Sequence, residues 1–139
     1  MIVLDTNVLS ELIKTAPSPR VVEWCNSYPE AELYLTSITQ AEILVGIELL
    51  PNRRRRAAIA QAAEASFRED FEERILPFES DAAREFAGIV GARRRRGRPI
   101  TQADAQIAAI ARACGAAIAT RNMGDFEHCG VKVMNPWGI

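Results

Sequence analysis

The stretch that decides the fold is residues 1–7, which read Met1-Ile2-Val3-Leu4-Asp5-Thr6-Asn7. Residues 2–4 form an apolar run too short for a helix, which predicts a strand buried on both faces. Asp, Thr and Asn are good helix N-cap residues, so we expect a helix to follow directly. Ligand sites in such α/β units gather beyond the carboxyl ends of parallel strands. Asp5 would lie at that edge, either as a site residue or simply as the cap of the next helix.

The alternation of strand and helix continues along the whole chain. Further strands are predicted at 33–36, 74–78, 117–120 and 131–133. Helices are predicted at about 6–14, 18–28, 53–71, 80–97 and 101–115, with Ser18 and Ser80 as caps of two of them, and a further helix runs from Ser37 or Thr39 to about residue 50. Strands that alternate with helices indicate a mostly parallel sheet covered by helices on both faces.

Size and composition predict a single globular domain over residues 1–139. The chain has 48% hydrophobic residues and no linker, repeat or low-complexity tract. We see no secretory signal pattern and no apolar run near the roughly 20 residues that span a membrane, so neither export nor membrane insertion is expected. Cys25, Cys114 and Cys129 lack CxxC spacing, which favours reduced thiols in a cytoplasm. His128, beside Cys129, lacks the further ligands that zinc would need.

The net charge of −1 hides a strong separation of sign. Arginine occupies positions 53–56, 93–96 and 98, which is nine of the 17 basic residues. These runs could be solvated helix ends. Clustered arginine also favours contacts with phosphate, so a nucleic-acid ligand stays open.

Two acids inside predicted helices could likewise be either structural or functional. Glu42 has Ile38, Val45 and Gly46 one helical turn away, so its carboxylate points along an apolar stripe. Asp104 has Ile100, Ile107 and Ala108 as its helical neighbours. Each acid stands three residues after a threonine, as in a capping box, and each could therefore be purely structural.

The three acids together favour another interpretation. Asp5, Glu42 and Asp104 each follow a strand or loop and are predicted near a helix beginning, where the helix dipole stabilises negative charge. If these helices begin along one sheet edge, the carboxylates converge, and closely spaced carboxylates need protons or a cation. Oxygen ligands without His or Cys suit Mg²⁺ or Mn²⁺. Such an ion activates water and stabilises charge on a phosphodiester, which predicts a nuclease-type site.

The sequence resembles the PIN-domain ribonucleases, specifically the VapC-type toxins of bacterial toxin–antitoxin pairs. Among these toxins it is most similar to the FitB-like branch. The likeness spans essentially the whole chain. Each motif alone is weak, whereas their order and spacing together are specific. The motifs are Asp5-Thr6-Asn7, residues 35–42 (LTSITQAE), 74–78 (RILPF), 99–104 (PITQAD), 119–122 (ATRN) and 135–137 (NPW).

The resemblance implies a compact PIN-like three-layer α/β/α fold with a mostly parallel five-stranded sheet. It further implies an Mg²⁺- or Mn²⁺-dependent endoribonuclease, a toxin that cleaves RNA with metal-activated water. Such proteins are usually homodimers held inactive by a VapB-type antitoxin, which supplies most of the recognition of DNA. By this resemblance Asp5 and Asp104 are the principal metal ligands, and Glu42 is a further ligand or orients the attacking water.

One position departs from the family pattern. The fourth family acid often follows Thr-Arg directly, but this chain has Asn122 there. The departure puts a fourth ligand and a second metal in doubt. Asp125, three residues on, could substitute or could be an ordinary turn acid. Thr6 and Asn7 could hydrogen-bond Asp5 or the substrate, and Arg121 could contact phosphate.

Two other functions stay open from the sequence. A phosphatase could use a strand-end aspartate such as Asp5 as its nucleophile. The usual second acid of that motif is absent, because position 7 is Asn. Alternatively, Asn122 is compatible with a weakly catalytic or non-catalytic partner in an antitoxin–DNA regulatory complex.

Overall fold

The structure is a computed structural model that describes residues 1–138. Across those residues five strands and six α-helices alternate in the order that the sequence predicts. The strands are β1 Ile2–Leu4, β2 Leu33–Thr36, β3 Ile75–Leu76, β4 Ala117–Ala119 and β5 Val133–Met134. The helices are α1 Thr6–Leu12, α2 Pro19–Asn26, α3 Ser37–Glu48, α4 Arg53–Ala65, α5 Ser80–Arg95 and α6 Gln102–Cys114.

The strands form one parallel sheet in the order β3-β2-β1-β4-β5. Strand β1 is central: Ile2 pairs with Leu33 on one side and with Ala117 on the other. Since all five strands are parallel, their carboxyl ends lie at the same edge of the sheet. Asp5, Thr36 and Thr120 follow or end the three central strands at this edge.

Helices cover both faces of the sheet, as the sequence predicts. Ile2 and Leu4 pack into an apolar cluster with residues of α1 to α4, while Val3 packs into a second cluster with residues of α5 and α6. Val3 and Leu4 have no exposed surface. Alternate residues of β1 thus serve opposite cores, which is why the strand is apolar throughout.

Several predicted boundaries were wrong. The helix predicted to reach residue 71 is α-helical to Ala65 and continues as a π-helical segment, Ser66–Asp70. The strand predicted at 131–133 is Val133–Met134, and of 74–78 only residues 75 and 76 pair. Both strands are edge strands, where one neighbour at most fixes the paired length, and Pro77 has no N–H to extend β3. Ser18 precedes α2 without a side-chain cap bond, and Glu79 rather than Ser80 is the N-cap of α5.

The second arginine run is not uniform. Arg94, Arg95, Arg96 and Arg98 are exposed, as solvated helix ends would be, but Arg93 is buried with 4% of its surface exposed. Arg93 is therefore unavailable for the phosphate contacts considered for this run. Across residues 1–138 no helix has the length and apolarity that a bilayer crossing requires.

Candidate active site

Asp5 lies at the carboxyl end of the central strand, 5% exposed, in a shell of hydrogen-bond donors. Its Oδ1 accepts from the backbone N–H of Thr6 at 2.8 Å, so Asp5 does cap α1. Its Oδ2 accepts from the Thr120 hydroxyl at 2.8 Å and from Asn7 Nδ2 at 3.1 Å. Burial raises the pKa of Asp5 despite these donors, and the nearby negative charges of Glu42 and Asp125 raise it further. A role as a helix cap alone does not explain why Asp5 is held where burial and neighbouring charges disfavour its ionised form.

Glu42 reaches the same place from α3. Its Oε1 accepts from the Thr6 hydroxyl at 2.6 Å, and that hydroxyl also lies 3.0 Å from the hydroxyl of Thr39. The helix starts at Ser37, one of the two predicted starts, and Thr36 is its cap. Glu42 therefore lies in the second turn of α3 and not at the helix beginning where it was predicted. Since Thr36 rather than Thr39 is the N-cap, Thr39 and Glu42 do not form a capping box. Glu42 is bonded to the residue that follows Asp5.

Asp104 lies in the first turn of α6, as predicted. The Thr101 hydroxyl accepts from the backbone N–H of Asp104 at 3.2 Å, so the predicted cap is present. The pKa of Asp104 is raised to about 6, mainly by burial and in part by the charges of Asp5, Asp125 and Glu42, while a hydrogen bond with Thr101 opposes the rise. The cap and the crowding of negative charge therefore coexist at this residue.

All three acids line one polar cavity of about 430 Å³ at the carboxyl edge of the sheet. Its other lining residues are Thr6, Asn7, Ser10, Glu11, Lys14, Arg121, Asn122, Asp125 and Trp137. Every site residue proposed from the sequence thus faces this cavity. Across residues 1–138, however, no three His, Cys, Asp or Glu side chains are already arranged as a metal cluster. The structure brings the acids to a shared cavity, and their assignment as ligands stays a prediction.

The segment after β4 closes one wall of the cavity. The backbone N–H of Arg121 donates to Asn7 Oδ1 at 3.2 Å, and the backbone N–H of Asn122 donates to the Thr120 hydroxyl at 3.1 Å. The Arg121 guanidinium lies over the Trp137 ring, 5.0 Å from its centroid. Asn122 and Asp125 are both exposed on this wall. Asp125, and not Asn122, contributes negative charge to the cavity.

Four cavity residues were not predicted from the sequence, namely Ser10, Glu11, Lys14 and Trp137, and neither was Thr120, which lies behind the cavity wall as a partner of Asp5. Thr120 is fully buried and holds Asp5. Glu11 is bonded to Lys14 Nζ at 2.9 Å and to the backbone N–H of Ser18 at 2.9 Å, and these donors lower its pKa. A threonine directly after an apolar strand was the available signal for Thr120. Trp137 reaches the cavity from the far end of the chain, which no local pattern indicates.

The donor set of the cavity fits a hard divalent cation. The side chains facing it offer carboxylate, hydroxyl and amide oxygens, which are the ligands that Mg²⁺ and Mn²⁺ prefer. The pKa of Asp5 and of Asp104 is raised mainly by burial and in part by neighbouring carboxylates, so their ionised forms are disfavoured, and a bound cation would relieve that penalty. Among residues 1–138 no zinc-type set of ligands forms around His128, whose neighbour Cys129 is buried against Arg93.

A second, more apolar groove of about 580 Å³ adjoins the acid cavity. It runs between α1, α3 and α4, and Thr6, Ser10, Lys14 and Glu42 line both spaces. Ile13, Ile43, Ile47, Leu50 and Ile59 give its walls their apolar character. A molecule that occupied this groove would end next to the acids.

Known proteins resemble this chain in both sequence and fold. Residues 2–130 match the family model of the PIN domain. The chain is 39% identical over 137 residues to "VapC ribonuclease Y4jK" of Sinorhizobium fredii, covering 99% of this chain and 98% of that protein. It is also 39% identical over 137 residues to "Toxin FitB" of Neisseria gonorrhoeae, covering 99% of both. The structure of FitAB bound to an IR36 DNA fragment contains a chain that superposes with a TM-score of 0.91 at 39% identity, covering 100% of this chain and 97% of that one.

This chain is an α/β protein with a five-stranded parallel sheet between helices and an acidic cavity at the carboxyl edge of that sheet. Within that class, this chain belongs to the PIN domain family. The resemblance drawn from the sequence motifs is thereby confirmed, and so is the predicted fold.

Proposed function

We propose that this protein is a Mg²⁺- or Mn²⁺-dependent endoribonuclease and the toxin of a type II toxin–antitoxin pair. The observation that carries the proposal is the shared cavity of Asp5, Glu42 and Asp104, with the raised pKa of two of these acids. The printed names of the relatives, a VapC ribonuclease and a toxin, agree with it.

Asp5 and Asp104 would hold the divalent ion, with Glu42 and Asp125 as further candidates. When bound, an ion of this kind supplies positive charge at the phosphate and lowers the pKa of a water molecule. The chain does the positioning. Thr120 and Asn7 fix the Asp5 carboxylate, and Thr6 fixes that of Glu42, so little reorganisation is needed when substrate arrives.

Positive charge at the rim would hold the RNA. Lys14 and Arg121 face the same cavity as the acids, and arginine is well suited to phosphate oxygens. Trp137, under the Arg121 guanidinium, gives that wall an aromatic surface of the kind that stacks unpaired bases. Single-stranded segments of RNA therefore fit this cavity better than a rigid duplex.

We further propose a VapB-type antitoxin as the partner, with DNA contacted only through that complex. The apolar groove offers the antitoxin surface to bury directly beside the acids. The FitAB structure bound to DNA agrees with such an assembly. Cys25, Cys114 and Cys129 are unpaired, which fits a reducing cytoplasm.

The test is cleavage of RNA by the purified protein with and without Mg²⁺ or Mn²⁺. We expect cleavage that EDTA abolishes and that Asp5→Ala and Asp104→Ala each lower by at least about 100-fold. Exposed Asp81 is a matched control acid outside the cavity, and Asp81→Ala should cleave like the wild type. Equal activity in the wild type and both cavity variants would remove the assignment.

A non-catalytic role in an antitoxin–DNA complex is the second candidate, favoured by Asn122 and by the absence, among residues 1–138, of a ready three-residue metal cluster. It predicts no metal-dependent cleavage of any RNA, together with DNA binding that needs the partner. The phosphatase alternative is weakened because Asn7 donates its amide to Asp5 where that chemistry needs a second acid. A trapped acyl-phosphate on Asp5 would restore it.

A further inference from the structure

Arg93 is buried at the end of α5 and does not line the acid cavity. Its Nε donates to the carbonyl of Arg98 at 2.6 Å, and its Nη1 donates to the carbonyls of Asp125 at 2.9 Å and Glu127 at 3.0 Å. A longer contact joins Nη2 to the carbonyl of Pro99 at 3.5 Å. Within the described part of the chain, no carboxylate lies within 4 Å of this guanidinium.

This environment is unusual for a charged group. A buried charge without an ion partner carries a large desolvation penalty, and a well-packed apolar side chain could fill the same space at lower cost. The carbonyls of irregular segments, by contrast, have no strand or helix to supply their donors. Arginine offers five N–H groups in a rigid fork, so one side chain can bind several carbonyls whose directions differ.

The two segments that Arg93 joins each lead to an acid of the cavity. Arg98 and Pro99 belong to the loop that enters α6, where Thr101 is the N-cap and Asp104 lies in the first turn. The other segment, Met123–Phe126, contains Asp125 itself. Asp104 and Asp125 both line the cavity, and each raises the negative potential there.

We propose that Arg93 is a positioning residue of the candidate site, which fixes the spacing between Asp104 and Asp125 by tying their two backbone segments together. The proposal rests on the proposed function, because the spacing matters only if these acids act on a common ion and substrate. Arg93 touches neither. Its contribution is to hold the acid pair at one separation before the ion binds.

Arg74 supplies a matched control. It also donates to three backbone carbonyls, those of Glu30, Leu33 and Asp70, and so ties irregular segments together in the same manner. None of these three residues lines the acid cavity. Loss of Arg74 should therefore cost stability without changing the site.

The experiment compares Arg93→Met, Arg93→Lys and Arg74→Met in two measurements: Mn²⁺ binding by electron paramagnetic resonance of the protein without RNA, and kcat and KM for RNA at saturating Mn²⁺. We expect Arg93→Met to weaken Mn²⁺ binding about 10- to 100-fold and to lower kcat, with KM for RNA changed less than about threefold. Arg93→Lys should recover part of both, because an ammonium keeps the charge but not the fork. Arg74→Met should melt at a lower temperature with wild-type Mn²⁺ binding and kcat.

Two results would overturn the proposal: Arg93→Met with wild-type Mn²⁺ affinity and kcat, or equal losses in Arg93→Met and Arg74→Met. Where Arg93→Met does not fold, Arg93→Lys decides, and Mn²⁺ affinity within about threefold of the wild type contradicts the proposal. Failure of the proposed function looks different. In that case the wild type itself neither binds Mn²⁺ nor cleaves RNA, and the role of Arg93 falls with it.

Discussion

Asp5 and Asp104 are both held in surroundings that disfavour their ionised forms. Burial is the main cause in each case, and the two residues also repel one another and their acidic neighbours. At Asp5 three hydrogen-bond donors partly offset the rise in pKa. At Asp104 the hydrogen bond with Thr101 opposes the rise. An ionised carboxylate at an ordinary helix N-terminus stabilises the fold. At Asp104 ionisation is instead disfavoured, and this opposite sign distinguishes a site residue from a cap.

The first prediction concerns Asp104→Asn in the absence of divalent ions. Because the pKa of Asp104 is raised from 3.8 to about 6, the folded state binds this proton more tightly than the unfolded chain does. The protonated carboxyl of Asp104 therefore contributes its full stabilisation below about pH 4, and this contribution is lost as pH rises through 6. At pH 7.5 the variant should be more stable by about 1–2 kcal/mol, after a discount for solvent screening at a half-buried carboxyl.

Thermal unfolding checks this at pH 7.5 and at pH 4. The variant should melt about 3–8 °C above the wild type at pH 7.5, and the difference should shrink at pH 4. A variant that melts several degrees lower at pH 7.5 would identify Asp104 as an ordinary cap.

The second prediction concerns Thr120, whose buried hydroxyl bonds Asp5, Asn7 and Asn122. Thr120→Val keeps the shape and removes the donor to Asp5, so the carboxylate loses its orientation. We expect RNA cleavage to fall about 10- to 100-fold, as for outer-shell partners of metal ligands. Thr120→Ser keeps the hydroxyl and should stay within a few-fold of the wild type in the same assay. A loss in Thr120→Ser with Thr120→Val close to the wild type would mean that packing of the methyl group, not the hydrogen bond, is what matters.

At the scale of elements, the site depends on where helices begin. Thr36 ends β2 and caps α3 through its hydroxyl, which accepts from the backbone N–H of Thr39. This cap sets the rotation of α3 and so places Glu42 beside Thr6 in α1. Thr101 performs the same task for α6 and Asp104.

The third prediction tests the cap of α3. Thr36→Ala should lower the free energy of unfolding by about 1–2 kcal/mol, because it leaves a buried N–H without its partner. It should also lower RNA cleavage, since α3 carries Glu42. Asn52→Ala removes the cap of α4, an exposed cap away from the acids, and should cost about 1 kcal/mol with cleavage unchanged. Urea denaturation and the RNA assay measure both effects, and a cleavage loss shared by Asn52→Ala would contradict the argument.

The same elements show how far sequence patterns reach. The interior strands β1, β2 and β4 were predictable because burial on both faces demands continuous apolar runs. Of the edge strands, β3 was predicted too long and β5 too early in the chain, since one neighbour constrains their paired length less. Glu42 was assigned to a helix beginning because Thr39 and Glu42 have the spacing of a capping box, and nothing local indicated that Thr36 caps α3 instead.

Contacts between distant segments were beyond reach from the sequence. Four consecutive arginines look alike in a charge pattern, yet the fold buries one and exposes the other three. The role of Arg93 depends on carbonyls up to 34 residues away. The convergence of Asp5, Glu42 and Asp104, by contrast, followed from the rule that parallel strands share a carboxyl edge.

At the scale of the whole molecule, α3 leaves an apolar patch uncovered. Leu44, Val45 and Leu49 are 39%, 57% and 77% exposed. Patches of large aliphatic side chains at this exposure mark contact sites between proteins. The family resemblance implies a homodimer, and this patch is a surface that such a dimer would bury.

The fourth prediction is that this patch forms the dimer. Val45→Asp together with Leu49→Asp should convert the protein to a monomer in sedimentation-velocity experiments, since each places a charge in an apolar contact. Ala87→Asp, at an exposed position on α5, is the matched control and should sediment like the wild type. A wild type that sediments as a monomer over a wide range of concentrations would contradict the prediction.

The central claim is that carboxylates from distant parts of the chain share one divalent ion at the carboxyl edge of the sheet. Crystals soaked in Mn²⁺ and measured at a wavelength sensitive to manganese test this claim most directly. The account predicts one anomalous peak within coordination distance of Asp5 and Asp104, which is lost in crystals of Asp104→Asn. A map with no peak in the cavity, or with a peak that touches neither carboxylate, would contradict it.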